Sequence, residues 1–368
     1  VVGSRGGSKA QLAMMKTMMN QMFGDTIPTL RTIIGEDSAY HGVSPKDTVL
    51  EAATLMGESR KGVLVMEDDQ MVGILTPKDL LMRVVSKELS PEETLVEEVM
   101  TESPAWVSPD LTLLEALREM HDQKFLHLPV LEDDGTVVGL VNVMELLCST
   151  GGEDSGKSWR EFFSGAIDAR GDDESDTSSL HGSTRSKVTG RQAPKPSAPK
   201  TTPSKSAVES RPVSKLRPKK PLTVLDNTSV LEVAQAMASA RADAALLVSA
   251  RGGLSGIMTD NDLTKRVVSK EMDPESTSVR TVMTKGPKCV HSDDSALDAL
   301  EMMVENRFRH LPVLDKDGAV VGLLDIAKCL YDAISMMEKA EARQQKEGGG
   351  VDASLSAAMQ KVVGSRGG

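Results

Sequence analysis

Apolar and polar residues follow one another along this chain in an order that returns four times. Val63-Leu-Val-Met66 and Met71-Val-Gly-Ile-Leu75 are β-rich runs around the polar turn 67–70, which predicts a hairpin. Ahead of them, Val49, Ala52, Ala53 and Met56 share one face at helical spacing, with Asp47-Thr48 placed to cap that helix and Gly57 to close it. Behind them, Thr76-Pro77 opens a second helix, Thr as cap and Pro at the first position, with Leu80, Leu81, Val84 and Val85 on its buried face. Val43-Ser-Pro45 adds a short extended piece in front. The predicted order is strand, helix, strand, strand, helix. It recurs at Trp106-Val-Ser-Pro109, the 113–120 helix, Leu128-Pro-Val-Leu131 and 137–141, with Asn142 capping the closing helix. From residue 222 it recurs again, with Val230, Val233, Ala234 and Met237 as a helix face and 244–249 with 254–258 as a hairpin.

The copies are in register. Gly73-Ile-Leu-Thr-Pro-Lys-Asp79-Leu returns as Gly256-Ile-Met-Thr-Asp-Asn-Asp262-Leu, with Thr76 and Thr259 183 residues apart. The same offset carries Met100-Thr101 onto Met283-Thr284, His127 onto His310 and Gly139 onto Gly322. A spacing held over that distance implies a duplicated folding unit. Weaker copies, Gly139 to Glu145 and Gly322 to Lys328, follow their partners by 66 residues. One unit has too small a sheet to bury a core alone, so the units are expected to pack in pairs, sheet to sheet.

At 368 residues, two or three domains are expected. The pattern places a Met-rich flanking helix over 1–28 and a first pair over 29–150, with repeats at about 35–90 and 98–150. A Ser-, Pro- and Lys-rich linker covers 151–221. The second pair covers 222–338, with repeats at about 222–272 and 280–338, and a frayed helix and connector follow over 339–368. The linker's composition cannot offset chain entropy and predicts disorder, apart from a short helix at 159–167. Its basic stretch Arg217-Pro-Lys-Lys220 reads either as solvated linker or as an address or phosphate-binding patch. Leu12, Met15, Met18, Met19 and Met22 form a helical stripe, suited to packing on its own module or to an adaptable partner face. Residues 1–7 and 362–368 are identical, VVGSRGG, which predicts one period of a longer tandem duplication or a permuted window on it.

A net charge of −11 argues against nucleic acid or an anionic membrane as a partner of the whole chain. Two Trp, two Tyr and five Phe are too few for a base-stacking platform. No apolar run reaches the length of a membrane span, which takes about 18 residues. Cys148, Cys289 and Cys329 share no ligand-like spacing with the six histidines, so a reducing, cytoplasmic setting and no metal site are expected. No Gly-x-Ser-x-Gly occurs and no stretch outside the repeats suits a catalytic domain, so no catalytic residue is assigned and the chain is expected not to be an enzyme.

The Gly–apolar–Thr-x-x-Asp motif between strand and helix, with Phe125-Leu-His-Leu-Pro-Val130 and Phe308-Arg-His-Leu-Pro-Val313 in the following units, resembles the CBS-domain family. The resemblance implies an α/β (α+β) fold of four CBS repeats, each β-α-β-β-α, forming two tandem CBS pairs. Family members are regulatory modules that commonly bind adenine nucleotides between paired repeats. Residues 328–340 and 80–85 further resemble eukaryotic four-CBS proteins of plants, fungi and protists. Many of those carry a Phox-and-Bem-type domain, which this chain is expected to lack. The pair order is reversed relative to them, and joining the C-terminal end to residue 8 restores it.

By that resemblance Asp79 and Asp262 are ribose ligands and Thr76 and Thr259 lie on the phosphate side. Lys124, His127, Arg309 and His310 lie where the partner repeat could offer positive charge to a phosphate. The residues themselves support two readings. A helix N-terminus has free N–H groups and can receive a phosphate. Thr-x-x-Asp at that place is equally close to a capping box, which needs no ligand. In the other two copies, Asn142-x-x-Glu145 fits the cap, Asp325 would repel a phosphate and Lys328 cannot accept hydroxyl donors. At most one site per pair is therefore expected. The leading expectation is a non-catalytic sensor of AMP, ADP or ATP, with no cofactor required. Its occupancy would pass to an unidentified protein partner, and its pairs would associate within or between chains. A ligand-free scaffold for dimerisation and a regulator of a transporter are the alternatives.

Overall fold

A computed structural model of the chain describes residues 28–34, 40–59, 61–148, 159–160, 162–164, 166 and 211–336. The Met-rich 8–23 stretch, most of the 151–210 linker, residues 339–368 and both VVGSRGG copies lie outside the described residues.

Alternation at period two produces the expected hairpins. In the first repeat Val63–Glu67 pairs antiparallel with Gln70–Leu75, and Gly42–Val43 lies parallel on its other side. The fourth strand is borrowed: Thr101–Glu102, past the first repeat's closing helix, runs antiparallel to Gln70–Leu75. The third repeat has the same order, Thr223–Leu225, Ala244–Val248, Leu254–Thr259 and then Thr284–Lys285. The borrowed strand accounts for the motif glycines. A Cβ on Gly73 or on Gly256 would sit 2.5 Å from the sulfur of Met100 or Met283 respectively. Repetition of Gly with Met-Thr therefore follows from close packing alone. The second and fourth repeats use the hairpins His127–Leu131 with Val137–Asn142, and His310–Leu314 with Val320–Asp325.

The expected sheet-to-sheet contact within each pair is present but small. Leu64 and Ile74 meet Leu140 in one pair, and Leu246 and Ile257 meet Leu323 in the other. The larger cores join the pairs through helices. The helix Val49–Ser59 and the helical turns 80–87 pack against Val230–Ala240 and Asp260–Arg266. Leu113–Gln123 and Val143–Cys148 pack against Ala296–Glu305 and the helix over 326–336. Repeat 1 thus contacts 2, 2 contacts 4, 4 contacts 3 and 3 contacts 1, closing a circuit within one chain. Both large apolar cores thus draw on residues of both pairs, and burial of apolar surface is the main stabilising term.

The linker expectation needs correcting at its C-terminal end. Residues 211–221 belong to the fold: Val213–Leu216 forms a 3₁₀ turn, Val213 is fully buried, and Lys219 pairs its backbone with Leu323. Composition hid this because a single apolar anchor among charged residues suffices once the backbone is paired. Residues 28–34 make the corresponding contact on the second repeat, where Leu30 is fully buried and its N–H donates to the Leu111 carbonyl. The described part of the short helix at 159–167 buries Trp159, Phe162, Phe163 and Ala166. From it Arg160 crosses to Asp298 and Glu301 of the fourth repeat, so this helix ties the two pairs together.

Candidate functional site

Thr76 ends the strand Gln70–Leu75 in extended conformation and caps the helical turn Pro77–Asp79. Asp79 Oδ2 accepts from the Thr76 N–H at 2.9 Å and from its hydroxyl at 2.6 Å. The third repeat reproduces this: Asp262 Oδ2 accepts from the Thr259 N–H at 3.0 Å and its hydroxyl at 2.9 Å. Both capping boxes are complete without a ligand. Each second carboxylate oxygen faces an arginine one turn on. Arg83 lies 3.5 Å from Asp79 Oδ1, and Arg266 lies 3.2 Å from Asp262 Oδ1. Those arginines also donate to the carbonyls of Val99 and Met100, and of Val282, fastening each motif helix to its borrowed strand. Burial raises the Asp79 pKa against the opposing pull of Thr76 and Arg83.

The residue before each hairpin lies against the start of its own repeat's closing helix. The Asp260 N–H donates to the Asp243 carbonyl, the Val143 N–H to Leu126 and the Ile326 N–H to Arg309. Lys61 is the counterpart in the first repeat, where Pro77 has no N–H to donate. Charged side chains from these positions form ion pairs within and between repeats. Arg309 donates to Asp243 at 2.6 Å and to Asp325 at 3.3 Å. Lys78 of the first repeat reaches Asp243 of the third at 2.8 Å. Lys219 reaches Asp325 at 2.8 Å, and Lys61 pairs with Glu145 of the second repeat. Burial opposes ionisation of Asp325, yet Arg309 and Lys219 hold its carboxyl well below the usual range. Asp243 is likewise held down by Arg309 and Lys78 against its burial. Asp243, His310 and Asp325 bring donor atoms within 4.8 Å of one another, but three cations already face the two carboxylates.

The sequence-predicted residues divide accordingly. Thr76 with Asp79, and Thr259 with Asp262, come together as expected. Arg309 and His310 lie beside them at the seam between the third and fourth repeats, Arg309 committed to Asp243 and Asp325. His127 pairs in register with Asn142 of its own repeat, as His310 pairs with Asp325. Burial, with Arg309 nearby, pushes both histidines down to about 4. As they stand, both are neutral near pH 7. Lys124 is exposed, in left-handed conformation at the end of Leu113–Gln123, and makes no ion pair among the described residues. The sequence reading missed Lys61, Lys78, Arg83, Asp243 and Arg266. Arg83 and Arg266 recur at the 183-residue offset and could have been found that way. Lys78 has an unlike counterpart at that offset, Asn261, and Asp243 corresponds to Lys61 only through the hairpin register, 182 residues away, so the repeat carries no signal for them.

Fold and site define a four-repeat α/β protein with paired hairpin sheets, helix-to-helix closure and charged side chains at the seams. Residues 39–86, 96–149, 213–269 and 279–339 each match the CBS domain, together more than half of the chain, and the chain belongs to the CBS domain family. The match beginning at 213 agrees with the structured 211–221 segment. The CBS domain-containing protein CBSCBSPB3 of Arabidopsis thaliana is 30% identical over 302 residues, covering 79% of this chain and 50% of that protein. The meiotically up-regulated gene 70 protein of Schizosaccharomyces pombe is 31% identical over 302 residues, covering 77% of this chain and 40% of that protein. The chain thus spans about half the length, or less, of these two curated relatives. Among solved structures, protein MJ1225 from Methanocaldococcus jannaschii superposes with a TM-score of 0.52 at 16% identity, covering 81% of this chain and 97% of that one. Among the described residues no helix is long and apolar enough to cross a membrane.

Proposed function

We propose that this chain is a non-catalytic regulatory protein that takes adenine nucleotides at Thr76/Asp79 and Thr259/Asp262 and passes occupancy to a protein partner. The observation that carries the reading is the contrast among the four motif positions. Glu145 is closed off by Lys61, and Asp325 by Arg309 and Lys219. Asp79 and Asp262 each keep an oxygen whose protein contacts are no shorter than 3.2 Å, leaving acceptor capacity for ribose hydroxyls. Transmission has a route. Leu80 and Leu263, one residue beyond each Asp, are fully buried in the core shared by the first and third repeats. A ligand that shifts either helical start shifts the packing between pairs, provided it binds the two arrangements unequally.

The two sites differ in charge. Lys78 stands in the first turn at Thr76, whereas the buried carboxyl of Asp260 stands there at Thr259. The Thr76 site is therefore the stronger one for a phosphate. Equilibrium dialysis of the intact chain with AMP, ADP and ATP tests this, with Asp79→Ala as the comparison. Saturable binding that drops by about tenfold or more at the tighter site in Asp79→Ala supports the reading, a loss typical of charge-assisted hydrogen bonds. No binding of any nucleotide favours the second reading, a ligand-free interaction scaffold. That reading has its own support in capping boxes that are complete as they stand.

A further inference from the structure

We propose that Asp243 sets the anion affinity of both candidate sites, as the counter-charge that Lys78 and Arg309 share. The proposal rests on the nucleotide reading and adds its regulation. Lys78 lies between Thr76 and Asp79 in the first repeat; Arg309 lies on the fourth, at the seam with the third-repeat site. Asp243 meets both, Lys78 on Oδ1 at 2.8 Å and Arg309 on Oδ2 at 2.6 Å. Two cations from different pairs thus divide one carboxylate whose side chain is 12% exposed.

The fold does not demand an acid here. The equivalent positions hold Lys61, Leu126 and Arg309 in the other repeats. Each cation is neutralised where it stands, so a phosphate at either site recruits its cation only by drawing it away from Asp243. Arg309 keeps Asp325 as a second partner. When a phosphate at the first site withdraws Lys78, Asp243 is left with Arg309 alone and holds it harder. The second site then becomes the poorer one. Coupling of this kind is reciprocal, so filling the second site weakens the first by the same factor.

Calorimetric titration of the full chain with AMP and with ATP tests the proposal, on wild type, Asp243→Asn and Asp243→Glu. Wild type is expected to show two unequal affinities, at least about fivefold apart, the lower end of typical coupling. Asp243→Asn is expected to bind tighter at both sites, with the gap narrowed, while Asp243→Glu keeps the charge and behaves as wild type. A residue that merely supported the fold would weaken binding when replaced, so weaker binding in Asp243→Asn overturns the proposal. Identical binding in wild type and Asp243→Asn also overturns it, while leaving the nucleotide reading in place. Binding by Asp243→Asn alone supports it and shows the wild-type sites held shut. No binding by either overturns both. Should Asp243→Asn not fold, Lys78→Ala in an Asp79→Ala background isolates the second site. A drop in AMP affinity there, across the pair boundary, supports the shared counter-charge, and an unchanged affinity overturns it.

Discussion

Asp79 and Asp262 each divide one carboxylate between two tasks, one oxygen closing a capping box and the other facing an arginine and the seam. Capping predicts a cost independent of any ligand: Thr76→Ala should lower stability to urea by about 1 kcal/mol, and Thr76→Ser by much less. The same residues were legible in the sequence because their spacing recurs, but spacing alone could not separate a cap from a ligand site, since both need an oxygen acceptor at the same helical position. Histidine protonation supplies a second prediction. Both His127 and His310 titrate near 4 in the folded chain, below the ordinary 6.5, so the unfolded chain binds more protons between those values. Their contribution is complete above pH 6.5 and is lost as pH falls toward 4. Asp260, raised from 3.8 to about 6 by burial, works the other way as pH falls from about 6 toward 4. Urea denaturation from pH 7 to pH 4 should show a shallower loss for the His127→Asn, His310→Asn variant than for wild type.

At the level of elements, helices and hairpins with strong periodicity were legible, and the pieces that join them were not. The borrowed strand Thr101–Glu102 is two residues long and has no apolar pattern, and only the clash a Cβ on Gly73 would make with Met100 shows why it must lie there. Gly256→Ala should therefore cost about 1–3 kcal/mol through overpacking, measured by thermal or urea denaturation. The short helix at 159–167 is expected from the sequence, but its role as a clamp on the fourth repeat is not. Arg160 could not be paired with Asp298 across so long a sequence separation. Trp159→Ala removes a fully buried indole and should lower stability by about 3–5 kcal/mol. A retained melting profile in that variant would mean the helix is not part of the cooperative unit.

For the whole molecule, the repeats predicted pairs, and the structure adds that the pairs close on one another within a single chain. That closure was out of reach of pattern alone, because the helical faces at Val49–Met56 and Val230–Met237 look the same whether they meet in one chain or two. The ion pair Lys78–Asp243 and the clamp Arg160–Glu301 join residues from different pairs, so one unfolding transition is expected for both. The proposal that two of the four motif positions are open and bind nucleotide makes a prediction about stoichiometry. It is tested most directly by calorimetric stoichiometry with AMP on wild type, Asp79→Ala, Asp262→Ala and the double variant. Wild type should bind at two sites, each single variant at one and the double variant at none. Undiminished stoichiometry in the double variant would contradict the proposal and place any ligand away from these carboxylates.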